Sequence, residues 1–177
     1  MVGVFSLATG HILSYGTLLG TTFFHTFVSS VIAYQNLTRP QFGALMGNIF
    51  PVYFSIQSAI PVILVYTYPS GPSAQGGIVG ILHSSNRWGG LVPIATIFFS
   101  AMANLLIVGP ATTRTMNSRR LQERKDGKKS HDPPPHSQEM EALNKKFGAL
   151  HGISSLLNLA TFVSCLVYGV KLASRLE

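Results

Sequence analysis

From Met1 to Thr38 the chain contains no lysine, arginine, aspartate or glutamate. A helix needs about 20 residues to cross a hydrocarbon core of about 30 Å, and apolar runs of that length free of ionised groups mark membrane spans. Three further stretches share the property: Pro40 to Tyr68, Gly89 to Val108 and Leu150 to Val170. Only 11% of the residues are charged, against about a quarter in soluble domains. Lipid offers no partners to backbone amides, so a spanning segment is a helix or part of a closed barrel. No ten-residue alternating strands occur to build a barrel. The expected fold is therefore all-α, an integral membrane four-helix bundle in a single domain over residues 1–177. Its spans are expected near 11–34, 49–68, 89–108 and 150–170.

Punctuation along the chain places the joints. Arg39 and Pro40 break the first apolar run, with Thr38 suited to cap the next helix. Gln41, Gly43, Gly47 and Asn48 make the next stretch less apolar, an interfacial approach to a second span that Pro51 and Pro61 should bend. Pro69 to Ser73 and Gly76-Gly77 form a turn-rich connector, after which Ile78 to Leu82 either extend a helix or lie at the interface. Arg87-Trp88 suits a headgroup boundary, and Lys171 with Arg175 closes the fourth span. The first apolar run lacks the basic start of a cleaved secretory signal and reads as a retained anchor.

The formal net charge of +7 is concentrated. Nine of the thirteen basic residues lie between Arg114 and Lys146, mixed with five acidic ones. Without a basic stripe interleaved with aromatics, no nucleic-acid partner is expected. Residues 117–146 form a long polar loop, expected to be cytosolic and partly flexible around Pro133-Pro134-Pro135, with helical ends continuing the third and fourth spans. A solvated loop explains the cluster; an anionic-lipid partner at 114–146 is the sharper alternative. Arg39 and the nine loop residues make ten basic residues on one side, against Arg87, Lys171 and Arg175 on the other, which puts the long loop in the cytosol.

Polar residues inside spans need partners, and so locate candidate function. His11, Ser14, Thr21, His25 and Ser29 keep to one side of the first span; Tyr53 and Gln57 mark the second. Thr96, Ser100 and Asn104 recur every fourth residue in the third, and His151, Ser154, Ser155, Asn158 and Thr161 or Phe162 line the fourth. These edges are expected to face one another. Gly16/Gly20 and Gly148/Gly152 make two Gly-x-x-x-Gly pairs suited to close helix approach. Helix-to-helix hydrogen bonding explains the polar groups; a lined site or pathway is the functional alternative. His11 and His25 lie about four turns apart, as haem ligands on one helix would. With His151 alone in another span, two haems are excluded by count. A single haem or copper ion stays a remote alternative, and no cofactor or metal is expected. The lone Cys165 cannot form an internal disulfide and reads as a buried structural thiol. No aspartate or glutamate lies in any span, which removes paired-carboxylate chemistry, and no enzyme activity is expected.

Four local patterns resemble the transmembrane protein 205-like family, small eukaryotic multi-span proteins grouped by a domain of unknown function. They are His11, Gly20 and Thr26-Phe27-Val28-Ser29; Phe50-Pro51-Val52-Tyr53-Phe54; Asn104 with Pro110-Ala111-Thr112-Thr113-Arg114 and Met116; and Phe147 with His151-Gly152-Ile153-Ser154-Ser155-Leu156 and Asn158-Leu159. They run in order over nearly the whole chain. Gly109 stands where the family often carries an acidic residue, so a role resting on a carboxylate there has no residue to carry it. The resemblance implies a four-helix membrane domain in an intracellular or plasma membrane, without an agreed activity. A remoter likeness to bacterial copper-resistance membrane domains favours the metal alternative by analogy alone. Pro110 with Thr112 and Thr113 reads as a helix interruption, the two hydroxyls capping the next helical segment. Arg114 and His151 are expected to meet there around a small polar pocket.

Three functions compete. The first is a membrane-organising or complex-associated subunit in an organelle membrane, endoplasmic reticulum or mitochondrial outer membrane, with membrane-protein partners or a second copy. The second is a transporter or channel for a small solute or metal, lined by the polar residues of the spans. The third is a haem- or metal-binding redox protein.

Overall fold

The computed structural model describes residues 6–70 and 75–174. Four long helices dominate: α1 (Leu7–Asn36), α2 (Arg39–Tyr66), α4 (Ser84–Asp126) and α5 (Gln138–Ala173), with a short α3 (Gly77–Leu82) between the second and third. All four long helices are long and apolar enough to cross a membrane. No strand occurs among the described residues. Helices α1, α4 and α5 extend beyond the expected spans at both ends and α2 at its start, and Arg175 and Gly71-Pro72-Ser73 lie outside the described residues.

Local chemistry sets the ends. The Ser6 hydroxyl accepts the Thr9 amide at 3.1 Å and starts α1. At the α1–α2 joint the Gln41 side chain accepts the Thr38 amide at 3.2 Å, with Pro40 in the first turn. The Arg39 guanidinium lies 3.8 Å from the centre of the Tyr34 ring, which in turn meets Phe42 edge-on. That tight joint lets α2 run as one helix from Arg39, through Pro51 and Pro61, so the segment from Gln41 to Asn48 is helical and not a separate approach. Helix α2 stops at Tyr66, two residues short of the expected Tyr68, because Pro69 disfavours helical backbone at the residue before it.

Helix α4 is continuous but not uniform. Two wide π-helical turns, Arg87–Leu91 and Asn104–Val108, end one residue before Val92-Pro93 and Gly109-Pro110. Proline has no amide hydrogen for the i−4 carbonyl, and a wide turn absorbs that loss without breaking the helix. Pro110 therefore does not interrupt the helix. Thr112 donates back to the Val108 carbonyl at 2.7 Å instead of capping a new segment, and Thr113 is exposed.

The helices pack in the cyclic order α1, α2, α4, α5. Their exterior is greasy: Leu13, Phe99, Leu156 and Val170 are 65–74% exposed, the inside-out pattern expected where hydrocarbon is the solvent. Leu18, Ile60, Leu64, Ile81, Ile94, Ile97 and Cys165 form a dry layer across the bundle. Tyr15 reaches the Cys165 carbonyl at 3.1 Å, and it can do so because position 169 is glycine; a Cβ there would overlap the Tyr15 oxygen.

Beyond their apolar stretches, α4 and α5 continue as paired arms. Gly127, at φ +65°, ends α4 in the left-handed conformation that suits glycine. The Ser137 hydroxyl accepts the Met140 amide at 3.2 Å, and Glu139 and Glu141 complement the first turn of α5. The intervening segment forms a hydrogen-bonded hairpin. Glu123 accepts the Ser130 amide and hydroxyl at 2.9 and 2.5 Å, Ser137 donates to Asp126 at 2.7 Å, and Asn144 donates to the Ser130 carbonyl at 3.1 Å. Burial pushes the Glu123 carboxyl up, but the Ser130 bonds, with Lys129 and Arg119 nearby, outweigh it and hold the group below the usual carboxylate range.

Candidate intramembrane polar site

Two polar clusters lie inside the bundle, one on each side of the dry layer. The larger one joins α1, α2 and α5. Tyr53 donates to the Asn158 Oδ1 at 2.7 Å, and the Asn158 Nδ2 donates to Thr26 at 2.7 Å. The Gln57 Nε2 donates to Thr22 at 3.0 Å and to the Tyr53 oxygen at 2.9 Å. Each side chain sits one helical turn or a direct crossing from the next, so three helices are fixed in register by one network.

His25 borders this cluster, its ring centroid 4.5 Å from that of Tyr53. It lies in a third π-helical turn, Phe24–Ser29. In such a turn residue i+5 comes over residue i. Ser30 is accordingly 3.4 Å from Nε2, while Ser29 lies 3.1 Å from Nδ1. On α4, Asn104 opens the π-helical turn before Pro110, and its Nδ2 donates to the Ser154 carbonyl of α5 at 3.4 Å. Three atoms in this region are buried without a protein partner: Gln57 Oε1, Asn104 Oδ1 and Thr161 Oγ1. Their residues are 0%, 1% and 1% exposed, so each polar atom is withheld from solvent.

The smaller cluster centres on His11, 2.8 Å from Thr67 through Nδ1 and 2.5 Å from the Tyr168 hydroxyl through Nε2. Thr67 gives its own proton to the Ile63 carbonyl. A neutral ring with hydrogen on Nδ1 therefore satisfies both contacts, donating to Thr67 and accepting from Tyr168. Tyr68 and Tyr168 pack edge-on against that imidazole, and Tyr15 packs on Tyr168 in turn.

Several residues that the sequence marks as candidates lie elsewhere. His151 and Ser155 are exposed, with Ser154 half-buried. The face argument places His151 above Asn158 correctly, seven residues apart. However, past Phe27, helix α1 leans to α2, with Tyr34 on Phe42, and no longer covers α5 at that height. Arg114 and His151 do not build a pocket together. His151 stacks on Phe147, whose ring carries the Arg119 guanidinium at 4.5 Å, while exposed Arg114 lines a separate shallow groove. The two glycine pairs also face outward: a Cβ on Gly16, Gly20, Gly148 or Gly152 would meet nothing within 4 Å. No group of three histidine, cysteine or acidic side chains placed to share a metal occurs among the described residues. Thr22, Thr67, Tyr15 and Tyr168 join the clusters although sequence spacing does not mark them.

Residues 13–121, more than half of the chain, match a family described as a domain of unknown function (DUF4149). The chain belongs to that family. The matched region covers nearly all of α1 through the α4 arm, which supplies Thr22, His25, Tyr53, Gln57 and Asn104. Over 173 residues the chain is 31% identical to the Xanthocillin biosynthesis cluster protein D of Aspergillus fumigatus, covering 98% of this chain and 93% of the relative. That alignment takes in α5 as well, and with it Asn158 and Tyr168. No solved structure matches the chain.

Proposed function

We propose that this DUF4149 protein is a non-catalytic, multi-pass membrane subunit that holds together a membrane-bound assembly. The division of its polar interior carries the proposal. The Tyr53–Gln57–Asn158 network and the His11 cluster are separated by Leu18, Leu64, Ile97 and Cys165, all 0% exposed, so no polar path crosses the bundle among the described residues. Within the two clusters, polar side chains bond to one another across helices, as structural glue does. The outer surface, by contrast, presents both Gly-x-x-x-Gly pairs unfilled, where a partner helix can approach closely. The relative named for a biosynthesis cluster supports a place beside biosynthetic enzymes, and the four local sequence patterns support kinship with the transmembrane protein 205-like proteins. The proposed location is an organelle membrane with the basic arms in the cytosol.

One observation favours a second reading, a small-solute or metal transporter: the unpartnered oxygens of Gln57, Asn104 and Thr161. The test compares native co-purification in mild detergent with flux into reconstituted vesicles. A subunit loses its co-purifying proteins when Gly16 and Gly20 are both replaced by isoleucine, while its own helices stay folded. Solute flux abolished by Asn104→Leu, with no protein partner found, would replace the subunit reading by transport.

A further inference from the structure

The α4 and α5 arms flank an open groove of about 290 Å³, lined by Ala111, Arg114, Thr115, Ser118, Leu143 and Lys146. It holds two cationic side chains and no carboxylate. The one ion pair among the described residues joins Lys129 to Glu123 at 3.9 Å, in the hairpin, leaving Arg114 and Lys146 without an acidic partner. Thr115 and Ser118 give their hydroxyl protons to the carbonyls of Ala111 and Arg114. The guanidinium and the ammonium are thus the donors available to an occupant. Two like charges lining one groove repel each other, and an anion between them removes the repulsion.

Depth indicates where that anion comes from. Arg114 is the first charged residue after the apolar run ending at Val108, and Lys146 the last before the run from Leu150. At 1.5 Å rise per residue they stand about 9 Å and about 6 Å outside those ends. The headgroup layer on each side of a bilayer is about 5–8 Å thick. Lys146 therefore lies within that layer, and Arg114, just beyond it, leans back toward it because helical side chains tilt toward the helix N-terminus, here the membrane side. Both cations reach the level of lipid phosphates, with Ala111 as the apolar lining on the acyl-chain side.

We propose that this groove binds the phosphate of an anionic membrane phospholipid, favouring a phosphomonoester. Arginine grips two phosphate oxygens at once and lysine supplies a point charge to a third, a donor set that suits a dianion better than a singly charged diester. The site needs only the membrane placement of the helices and is independent of any role as a subunit.

Native mass spectrometry of the full chain in mild detergent, titrated with phosphatidic acid, phosphatidylserine or phosphatidylcholine, reads the occupancy directly. Phosphatidic acid should be retained in preference to both others. Arg114→Gln with Lys146→Gln should weaken that retention about thirtyfold, from about fivefold for each basic side chain at a membrane surface. Arg124→Gln with Lys125→Gln removes the same charge from the arm outside the groove and should leave retention unchanged. If the first pair fails to fold, Lys146→Gln alone should still cost about fivefold. Equal weakening by both pairs, or phosphatidylserine held as tightly as phosphatidic acid, overturns the site in favour of diffuse charge attraction. Inorganic phosphate alone displacing the lipid, or binding in its absence, overturns it in favour of a soluble phosphate ligand.

Discussion

Replacing Asn158 by leucine should unfasten the junction of α1, α2 and α5. The amide accepts from Tyr53 at 2.7 Å, lies 3.3 Å from the Gln57 Nε2, and donates to Thr26 at 2.7 Å. Hydrogen bonds between membrane helices average about 0.6 kcal/mol and reach about 1.7 kcal/mol. Three such contacts give an expected loss of about 2 kcal/mol, with about 5 kcal/mol as the ceiling. The measurement is equilibrium unfolding in mixed micelles by titration with sodium dodecyl sulfate, followed by circular dichroism. A double-mutant cycle with Tyr53→Phe isolates the Tyr53–Asn158 crossing and should return a coupling of about 0.6–1.7 kcal/mol. Exposed His151→Leu, one face and two turns away, serves as the control and should change stability little. A coupling within about 0.3 kcal/mol of zero, the scatter of independent sites, would refute the network as a structural clamp. So would a loss in His151→Leu as large as that in Asn158→Leu.

Leu18→Ala opens a cavity in the dry layer at a side chain that is 0% exposed, and the same titration should show a loss of about 2–5 kcal/mol; a change near zero would mean that layer is not packed as described. The hairpin should loosen in acid. The folded Glu123 carboxyl titrates below its unfolded value, so its contribution is present above the unfolded pKa and fades as pH falls through the folded one. Hydrogen exchange of residues 127–137, corrected for intrinsic rates, should quicken in that window, and Glu123→Gln should exchange quickly at every pH; a wild type unresponsive to acid counts against the cap.

The spans were legible because charge is forbidden in hydrocarbon, and one-dimensional absence suffices to see that. The site was legible in part. Gln57, Asn104 and Asn158 are strongly polar residues in apolar runs, and each lies at a helix crossing. Thr21 and Thr22 differ by about 100° around the axis, and sequence spacing favoured the wrong one: Thr22 is buried against Gln57 while Thr21 bonds only to its own helix. Tyr168 extends the inward line of Asn158, Thr161 and Cys165 by one further turn, but a tyrosine near a span end reads equally well as an interfacial anchor. His151 shows the opposite failure. Its face is right, and whether a neighbour covers that face depends on the tilt of α1, a long-range property that no local spacing encodes.

The wide turn at Asn104–Val108 makes the orientation of everything after it hostage to a single residue. A π-helical turn is an α-helix carrying one surplus position, and each position corresponds to about 100° of rotation. Deleting one residue between Leu105 and Ile107 would restore regular winding and leave the basic arm facing as it does now, whereas regular winding with all five residues kept would swing the arm about a quarter-turn, carrying Thr115 out of its buried seat and Arg114 away from Lys146. The membrane half of α4 and its water-facing half are thus set like two keys on one shaft, with the bulge as the spline between them.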